Sequence, residues 1–240
     1  MKIAIICAMD EELQAIFQAL GSKIEKHSTH LGFDVYSTHM YDSVGKVRHE
    51  LFLVLCGIGK VNAAIHTQFL LHQYTPDMVI NVGVAGSLSK DLTFGDVVLA
   101  TDLVHHDMDV SGFDLPLGQV PRMDVFSFAS DNKLLGLATT ISSTEFKIVA
   151  GRIATGDQFI DSKTRAEFIA STFNALACEM EGAAVAQTCY INKVPFLVVR
   201  AVSDMAGNDD MQAVRTYFEL KNMVAEKSAF VVKQLLELIK

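Results

Sequence analysis

The chain has 240 residues, half of them hydrophobic, and a formal net charge of -8 with a pI near 5.4. This length and apolar content support a substantial core. Scattered lysines and arginines in an acidic chain argue against nucleic acid or an anionic membrane as the main partner. No linker or break in composition divides the sequence, so we expect one domain spanning 1–240.

Neither a targeting segment nor a disulfide framework is expected. The strand-like sequence beginning at Lys2 is too short for a signal peptide, and no apolar run approaches 18 residues. The four cysteines form no CxxC pair, so we expect them to be small buried hydrophobes in a cytoplasmic protein.

Hydrophobic periodicity predicts strands and helices that mostly alternate. The predicted strands cover residues 2–9, 23–30, 33–42, 48–55, 76–82, 96–105, 146–153, 175–178 and 195–204. The predicted helices cover 10–20, the segment from the turn at 57–62 to about Tyr74, 131–142, a segment capped by Asp161 or Ser162, a segment opening at Glu179, and a stretch ending at Lys240. Because three successive strands lack an intervening helix, we predict an α/β fold with a twisted, mixed but mostly parallel central sheet flanked by helices.

Two glycine-rich segments follow predicted strands. Residues 57–62 lack the positions that a Walker loop or a dinucleotide fingerprint requires, so their glycines indicate a tight turn. Residues 83–86 also read as a turn after a strand. Glycines there would let backbone N–H groups approach a ligand, although a plain turn is the commoner explanation.

A long irregular segment over 106–123 follows the sixth predicted strand. Loops of this length in compact domains are usually functional or form interfaces. The run His105-His106-Asp107 could suggest a metal site, but adjacent side chains at a strand end point to opposite faces. We therefore expect no metal.

Acidic residues stand at the ends of three predicted strands, at Glu12, at Glu179 with Glu181, and at Asp204. The carboxyl ends of parallel strands meet at one sheet edge, where α/β proteins bind ligands, so we expect these acids to lie together. Because no histidine stands at these strand ends, separate acid, base and hydroxyl-binding roles are favoured over a metal site.

The last strand is almost wholly apolar, yet it contains Arg200 and ends in Ser203-Asp204. Burying such charges without partners costs roughly several kcal/mol of folding free energy. Either an arginine–aspartate pair closes the strand or these residues belong to a site.

Five motifs resemble, in order, those of the 5′-methylthioadenosine/S-adenosylhomocysteine nucleosidases of the nucleoside phosphorylase family. They are Met9-Asp-Glu-Glu12, Gly83-Val-Ala-Gly86, Gly156-Asp-Gln-Phe-Ile160, Glu179-Met-Glu-Gly182 and Arg200-Ala-Val-Ser-Asp204. The resemblance covers nearly the whole chain. It implies hydrolysis of the N-glycosidic bond of 5′-methylthioadenosine, S-adenosylhomocysteine and 5′-deoxyadenosine, without a cofactor.

The resemblance also implies roles for the polar residues. Asp204 would be the general acid toward adenine N7, and Glu12 would activate water. Glu181 would hold the ribose hydroxyls, Arg200 would orient carboxylates, and Ser203 would position Asp204.

By the same resemblance, Phe159 would stack on adenine and the backbone of Ile160 would bind its edge. Met9 and Met180 would pack around the ribose, although plain core filling is the alternative for both.

The 5′ substituent would lie in an apolar pocket with Ile58 and with Tyr217 or Phe218 of the last helix. The family is dimeric, which implies that Phe113 and Pro121 of the partner subunit cap this pocket.

One residue departs from many relatives. Where they have a hydroxyl residue in the glycine-rich turn this chain has Val84, which cannot hydrogen-bond a phosphate through its side chain, so water is favoured as the nucleophile. The leading alternative substrate is 6-amino-6-deoxyfutalosine, of menaquinone synthesis. A phosphorylase and a nucleoside sensor that has lost turnover remain further alternatives.

Overall fold

The computed structural model describes residues 1–207 and 211–240, and within the final helix it describes side chains from 222 onward. The strands of the described chain are β1 Lys2–Cys7, β2 Glu25–Ser28, β3 Asp34–Tyr41, β4 Val47–Leu55, β5 Met78–Ser87, β6 Val97–His105, β7 Phe128–Ala129, β8 Ile148–Thr155, β9 Ala175–Glu179 and β10 Phe196–Met205. Its helices are α1 Asp10–Leu20, α2 Lys60–Tyr74, α3 Asn132–Ala138, α4 Lys163–Phe173, α5 Gly182–Asn192 and α6 Met211–Leu238, and a 3-10 turn covers Ser111–Phe113.

The strands form one mixed sheet, part of which closes into a ring. β1 pairs in parallel with β4 and β5, and the antiparallel strands β3 and β2 extend the sheet beyond β4. On the other side, β5 pairs with both β10 and β9, while β10 pairs with β6, β6 with β8, and β8 with β9. Five successive pairings therefore return to β5.

Helices cover both faces of the sheet, which explains why its strands are apolar on both sides. In β1, Ile3 and Ile5 pack into the core formed with α1, α3 and α6, whereas Ala4 and Ile6 pack into the core formed with α2 and α5. This alternation follows from the two-residue repeat of a strand.

The predicted elements all occur, with shifts at several ends. The segment 83–86 is not a turn, because β5 continues through it while pairing with β10 as far as Ser87. Ser203 and Asp204 lie within β10, as predicted, and this strand continues one residue further to Met205. The predicted helix 131–142 ends at Ala138, and Glu179 closes β9 rather than opening α5.

No helix in the described part of the chain has both the length and the hydrophobicity needed to cross a bilayer.

Candidate active site

A cavity of about 320 Å³ lies where β1, β5, β9 and β10 converge. It is lined by Ala8, Met9, Glu12, Ile58, Val84, Ala85, Gly86, Gln158, Phe159, Ile160, Cys178, Glu179, Met180, Glu181, Ser203 and Asp204. The three separate acidic segments predicted to meet therefore do so.

The strand directions correct the reason given for this meeting. β1, β5 and β10 are parallel and deliver their carboxyl ends to one edge, as expected. β9, however, runs antiparallel to β5, with Cys178 opposite Gly86. Its carboxylates reach the cavity because the ring of strands closes at this point.

Glu12 is buried in the first turn of α1 and is held by backbone donors. Its Oε2 accepts hydrogen bonds from the N–H groups of Ala8, at 2.8 Å, and Met9, at 3.0 Å, while Oε1 accepts from Val84 at 3.1 Å. Burial raises the pKa of this carboxyl, against the opposing effects of Arg200 and of the three N–H donors. A buried carboxyl with a raised pKa and a fixed orientation suits proton transfer.

Gly83 provides the space in which Glu12 meets Arg200. A Cβ at position 83 would lie 2.5 Å from Glu12 Oε1 and 2.6 Å from Arg200 Nη1. Both distances are shorter than any ordinary van der Waals contact. The two side chains can therefore meet beside this part of β5 only because residue 83 is a glycine.

Arg200 lies behind the cavity and pairs with Glu179. Its guanidinium donates from Nε at 3.1 Å and from Nη2 to Glu179 Oε2, and from Nη2 at 2.7 Å to Asn81 Oδ1. Burial would raise the pKa of Glu179, but Arg200, the Thr155 hydroxyl and the N–H of Gly182 outweigh it and hold that pKa below its usual value. The pair is a compensated buried charge.

Glu181 has the opposite electrostatic environment. Its Oε1 accepts a hydrogen bond from Gly59 at 2.8 Å, and its Oε2 lies 3.7 Å from Arg200 Nη2. Burial and the neighbouring Glu179 charge raise its pKa to about 7. This carboxyl therefore changes charge near neutral pH.

Asp204 completes the acidic set. Its Oδ1 accepts a hydrogen bond from Ser203 Oγ at 2.8 Å, and burial raises its pKa although this bond opposes the shift. Gly86 is again a close neighbour, because a Cβ there would lie 3.0 Å from Asp204 Oδ2. The site thus brings together three buried carboxyls, those of Asp204, Glu12 and Glu181, whose pKa values are all raised by burial.

Apolar side chains form much of the remaining wall. Met9, Ile58, Val84, Ile160 and Met180 line the cavity beside the acids. Phe159 also lines it and remains 47% exposed, so its ring lies at the rim. This combination of apolar walls and a few fixed polar groups is typical of a small-molecule site.

Phe113 and Pro121, which were predicted to act from a partner subunit, do not line the cavity of their own chain. Phe113 and Pro121 lie in the loop between β6 and β7 and are exposed, with Phe113 at 81%. The side chains of Tyr217 and Phe218 lie outside the described residues. The metal interpretation receives no support in the described chain, where no three metal-binding side chains cluster. Instead, His105 Nε2 and Gln187 Oε1 share a hydrogen bond of 2.9 Å.

Sequence reasoning missed Asn81, Thr155 and the Gly59 N–H. Asn81 stands in an otherwise apolar predicted strand, a pattern similar to that which drew attention to Arg200, whereas Thr155 lies just beyond the predicted strand 146–153. A polar residue in such a strand needs a partner, which was the available signal. Nothing in the sequence identified those partners.

Comparisons with known proteins place this geometry in a family. The sequence profile of the phosphorylase superfamily matches residues 2–239. The 5′-methylthioadenosine/S-adenosylhomocysteine nucleosidase of Bacillus cereus is 40% identical over an alignment of 241 residues, covering 99% of this chain and 100% of that protein.

Two solved structures from Helicobacter pylori are also similar. One is an aspartate-to-asparagine mutant of its nucleosidase with 5′-methylthioadenosine in the active site, with a TM-score of 0.90, 35% identity and 99% coverage of both chains. The other is its futalosine hydrolase, with a TM-score of 0.89, 34% identity, and coverage of 99% of this chain and 98% of that one.

The chain belongs to the phosphorylase superfamily and, within it, to the family of 5′-methylthioadenosine/S-adenosylhomocysteine nucleosidases. The resemblance drawn from the five motifs is thereby confirmed, as is the single α/β domain of nucleoside phosphorylase type.

Proposed function

We propose that this protein hydrolyses the N-glycosidic bond of 5′-substituted adenine nucleosides, with 5′-methylthioadenosine and S-adenosylhomocysteine as substrates and 5′-deoxyadenosine as a further one. The observation that carries the proposal is the placement of Glu12, Glu181 and Asp204 around one cavity of about 320 Å³. The products are adenine and the 5-substituted ribose, and the reaction needs no cofactor.

Asp204 is the proposed general acid. As the C1′–N9 bond breaks, its electron pair passes to adenine, and the proton of Asp204 moves to N7 of the departing base. The raised pKa of the buried Asp204 favours the protonated form that this step requires. Ser203 holds the carboxyl through Oδ1, which leaves Oδ2 to face the base.

Glu12 is the proposed base. A water oxygen bonds to C1′ on the face opposite the leaving adenine, and the water gives a proton to the Glu12 carboxylate. Three backbone donors fix that carboxylate, and Arg200 compensates its charge. Val84 supports water rather than phosphate as the nucleophile, because its side chain offers no donor and its N–H is already used by Glu12.

The sugar and base have their own proposed contacts. Glu181 in its carboxylate form accepts hydrogen bonds from the ribose hydroxyls, and Met9 and Met180 pack beside the sugar ring. Phe159 stacks on adenine while the backbone of Ile160 binds its edge. Ile58, with Tyr217 or Phe218, would surround the 5′ substituent.

6-Amino-6-deoxyfutalosine is the second candidate substrate, used alone or in addition. It shares the adenine and ribose groups that the acids would contact and differs only at the 5′ position. The similarity to a futalosine hydrolase at a TM-score of 0.89 favours this candidate over a phosphorylase or a sensor.

We further infer a cytoplasmic homodimer that acts in methionine salvage. Exposed apolar side chains support the dimer: Val61 and Ile65 on α2, beside Ile58, are all more than half exposed, as is Phe113. In a dimer Phe113 and Pro121 of the partner subunit would close the 5′ end of the cavity. Sedimentation of the purified protein tests this assembly.

A product assay tests the activity. The protein is incubated with 5′-methylthioadenosine, with and without phosphate, and the sugar product is identified. Free 5-methylthioribose in both samples is expected, whereas a sugar 1-phosphate would show a phosphorylase and tight binding without cleavage a sensor. Aminofutalosine in a parallel reaction tests the second substrate.

The variant Asp204→Asn tests the catalytic role of Asp204 separately from its effect on folding. We expect it to lose cleavage by a factor of about 10²–10⁴ while keeping the melting temperature of the parent. Normal turnover by this variant would refute the assignment of Asp204.

A further inference from the structure

The cavity depends on a loop that has no regular secondary structure. Residues 156–162 connect β8 to α4, and Gln158, Phe159 and Ile160 in this loop line the cavity. Two backbone bonds tie it to neighbouring segments: Gly156 donates to Glu179 O at 3.0 Å, and Ile160 O accepts from Gly207 at 3.1 Å. A side chain from outside the loop gives it further support.

That support comes from Asp107, which follows the end of β6. Its Oδ2 accepts a hydrogen bond from the Asp157 N–H at 3.0 Å, and its Oδ1 accepts from Lys60 Nζ at 2.6 Å. Asp157 in turn accepts from the backbone N–H of Lys60 at 2.8 Å through Oδ1. Lys60, Asp107 and Asp157 therefore form a closed set of contacts between α2 and two loops.

Neighbouring residues leave little freedom for this arrangement. His106 donates its N–H to Thr155 O at 2.8 Å, and its ring occupies the space that a Cβ of residue 156 would fill. A Cβ on Gly59 would lie 3.1 Å from Asp157 Oδ1, so a glycine at the start of α2 admits that carboxylate. The side chains of Lys60 and Asp107 are only 19% and 16% exposed, so their contact is partly shielded from water.

We propose that Asp107 is a positioning residue for base recognition, acting through Lys60 and Asp157 on the loop that carries Phe159 and Ile160. This inference rests on the proposed function, in which that loop binds adenine. Asp107 does not line the cavity. Its loss should weaken ground-state and transition-state binding of the base alike, because Asp204, Glu12 and Glu181 have no contact with it.

The test uses Asp107→Ala with Asp109→Ala as its matched control. Asp109 is a carboxylate two residues away whose hydrogen bonds go to Ser111 within the same loop. For Asp107→Ala we expect KM for 5′-methylthioadenosine and Kd for adenine to rise about tenfold, with kcat within about threefold of the parent. Asp109→Ala should keep the parent values.

A second variant makes the inference independent of one substitution. Lys60→Met removes the ammonium and should raise the adenine Kd in the same direction. The double variant should weaken binding by less than the product of the two single effects, because both changes remove one set of contacts. If Asp107→Ala fails to fold, Lys60→Met alone decides the matter.

The adenine Kd values decide between the positioning role of Asp107 and its absence. An unchanged adenine Kd in Asp107→Ala or in Lys60→Met, or effects that multiply fully in the double variant, would overturn the positioning role. Calorimetric titration with adenine needs no turnover, so a parent protein that binds adenine but cleaves nothing would refute the proposed function while leaving this test intact. A parent protein that binds no adenine would overturn both.

Discussion

Glu179 and Glu181 lie two residues apart where β9 ends, yet the pKa values of their carboxyl groups are shifted in opposite directions. Glu179 forms an ion pair with the guanidinium of Arg200 and remains an anion. Glu181 lies 3.7 Å from the same guanidinium and beside the Glu179 charge, and its pKa rises to about 7. One residue therefore supplies fixed charge and the other titrates near neutral pH.

We expect nucleoside affinity to fall as the solution becomes acidic. Protonation of Glu181, with its pKa of about 7, would remove the charged acceptor that we propose for the ribose hydroxyls. Titration with a non-cleavable nucleoside analogue should show Kd rising between about pH 8 and about pH 6. The variant Glu181→Gln should bind more weakly and lose this dependence, and the same dependence in the variant would assign it to another group.

The same carboxyl should destabilise the ligand-free protein at alkaline pH. Because the folded-state pKa of Glu181 lies above its ordinary value of 4.5, the folded chain binds this proton more tightly, and stability falls as pH rises from about 4.5 to about 7. The variant Glu181→Gln has no carboxyl to ionise at this position, so it does not lose this stability. Urea unfolding at about pH 8 should give the variant a free energy of unfolding higher by on the order of 1–3 kcal/mol, with the difference vanishing near about pH 4. A variant less stable than the parent at the higher pH would contradict this expectation.

The glycine beneath Glu12 and Arg200 gives a steric prediction. Gly83→Ala should lower the free energy of unfolding by about 1–3 kcal/mol and kcat/KM by about 100-fold, because the new methyl group displaces both side chains. Gly136→Ala is the matched control, since its Cβ meets nothing within 4 Å in α3. The control should be more stable by about 0.5–1 kcal/mol and fully active. Equal activity in the two variants would refute the steric argument.

The buried ion pair gives a prediction about coupling. Arg200→Met leaves Glu179 charged and without its main partner, which should cost about 3–5 kcal/mol of stability. Adding Glu179→Gln should restore part of the loss, although the activity stays low. Denaturant unfolding of both single variants and of the double variant measures this coupling. Strict additivity would show that the two side chains contribute separately.

Much of this architecture could be predicted from local pattern. The apolar run of β10 predicted a strand buried on both faces, and all its residues but Met205 are buried. The acidic segments at Glu12, Glu181 and Asp204 were predicted to meet, and they line one cavity. Such features depend on periodicity and on the cost of burying charge, both of which a sequence displays.

The remainder depends on which strands pair. Periodicity identifies β9 as a strand but says nothing of its antiparallel contact with β5, which rests on two residue pairs. Likewise, the Asn81 amide and Arg200 are 119 residues apart in sequence, so neither motif alone indicates their hydrogen bond. Chain closure and side-chain networks of this kind arise only in three dimensions.

The ring formed by β5, β10, β6, β8 and β9 has a mechanical consequence. Each of these strands is hydrogen-bonded on both sides, so moving one strand apart from the others would break two rows of backbone bonds. Glu179 and Asp204 lie in this ring, whereas Phe159 and Phe113 lie in loops outside it. Under the proposed function, in which Phe159 and Phe113 contact substrate, these loops can vary and change substrate preference while the ring keeps the spacing of the two acids.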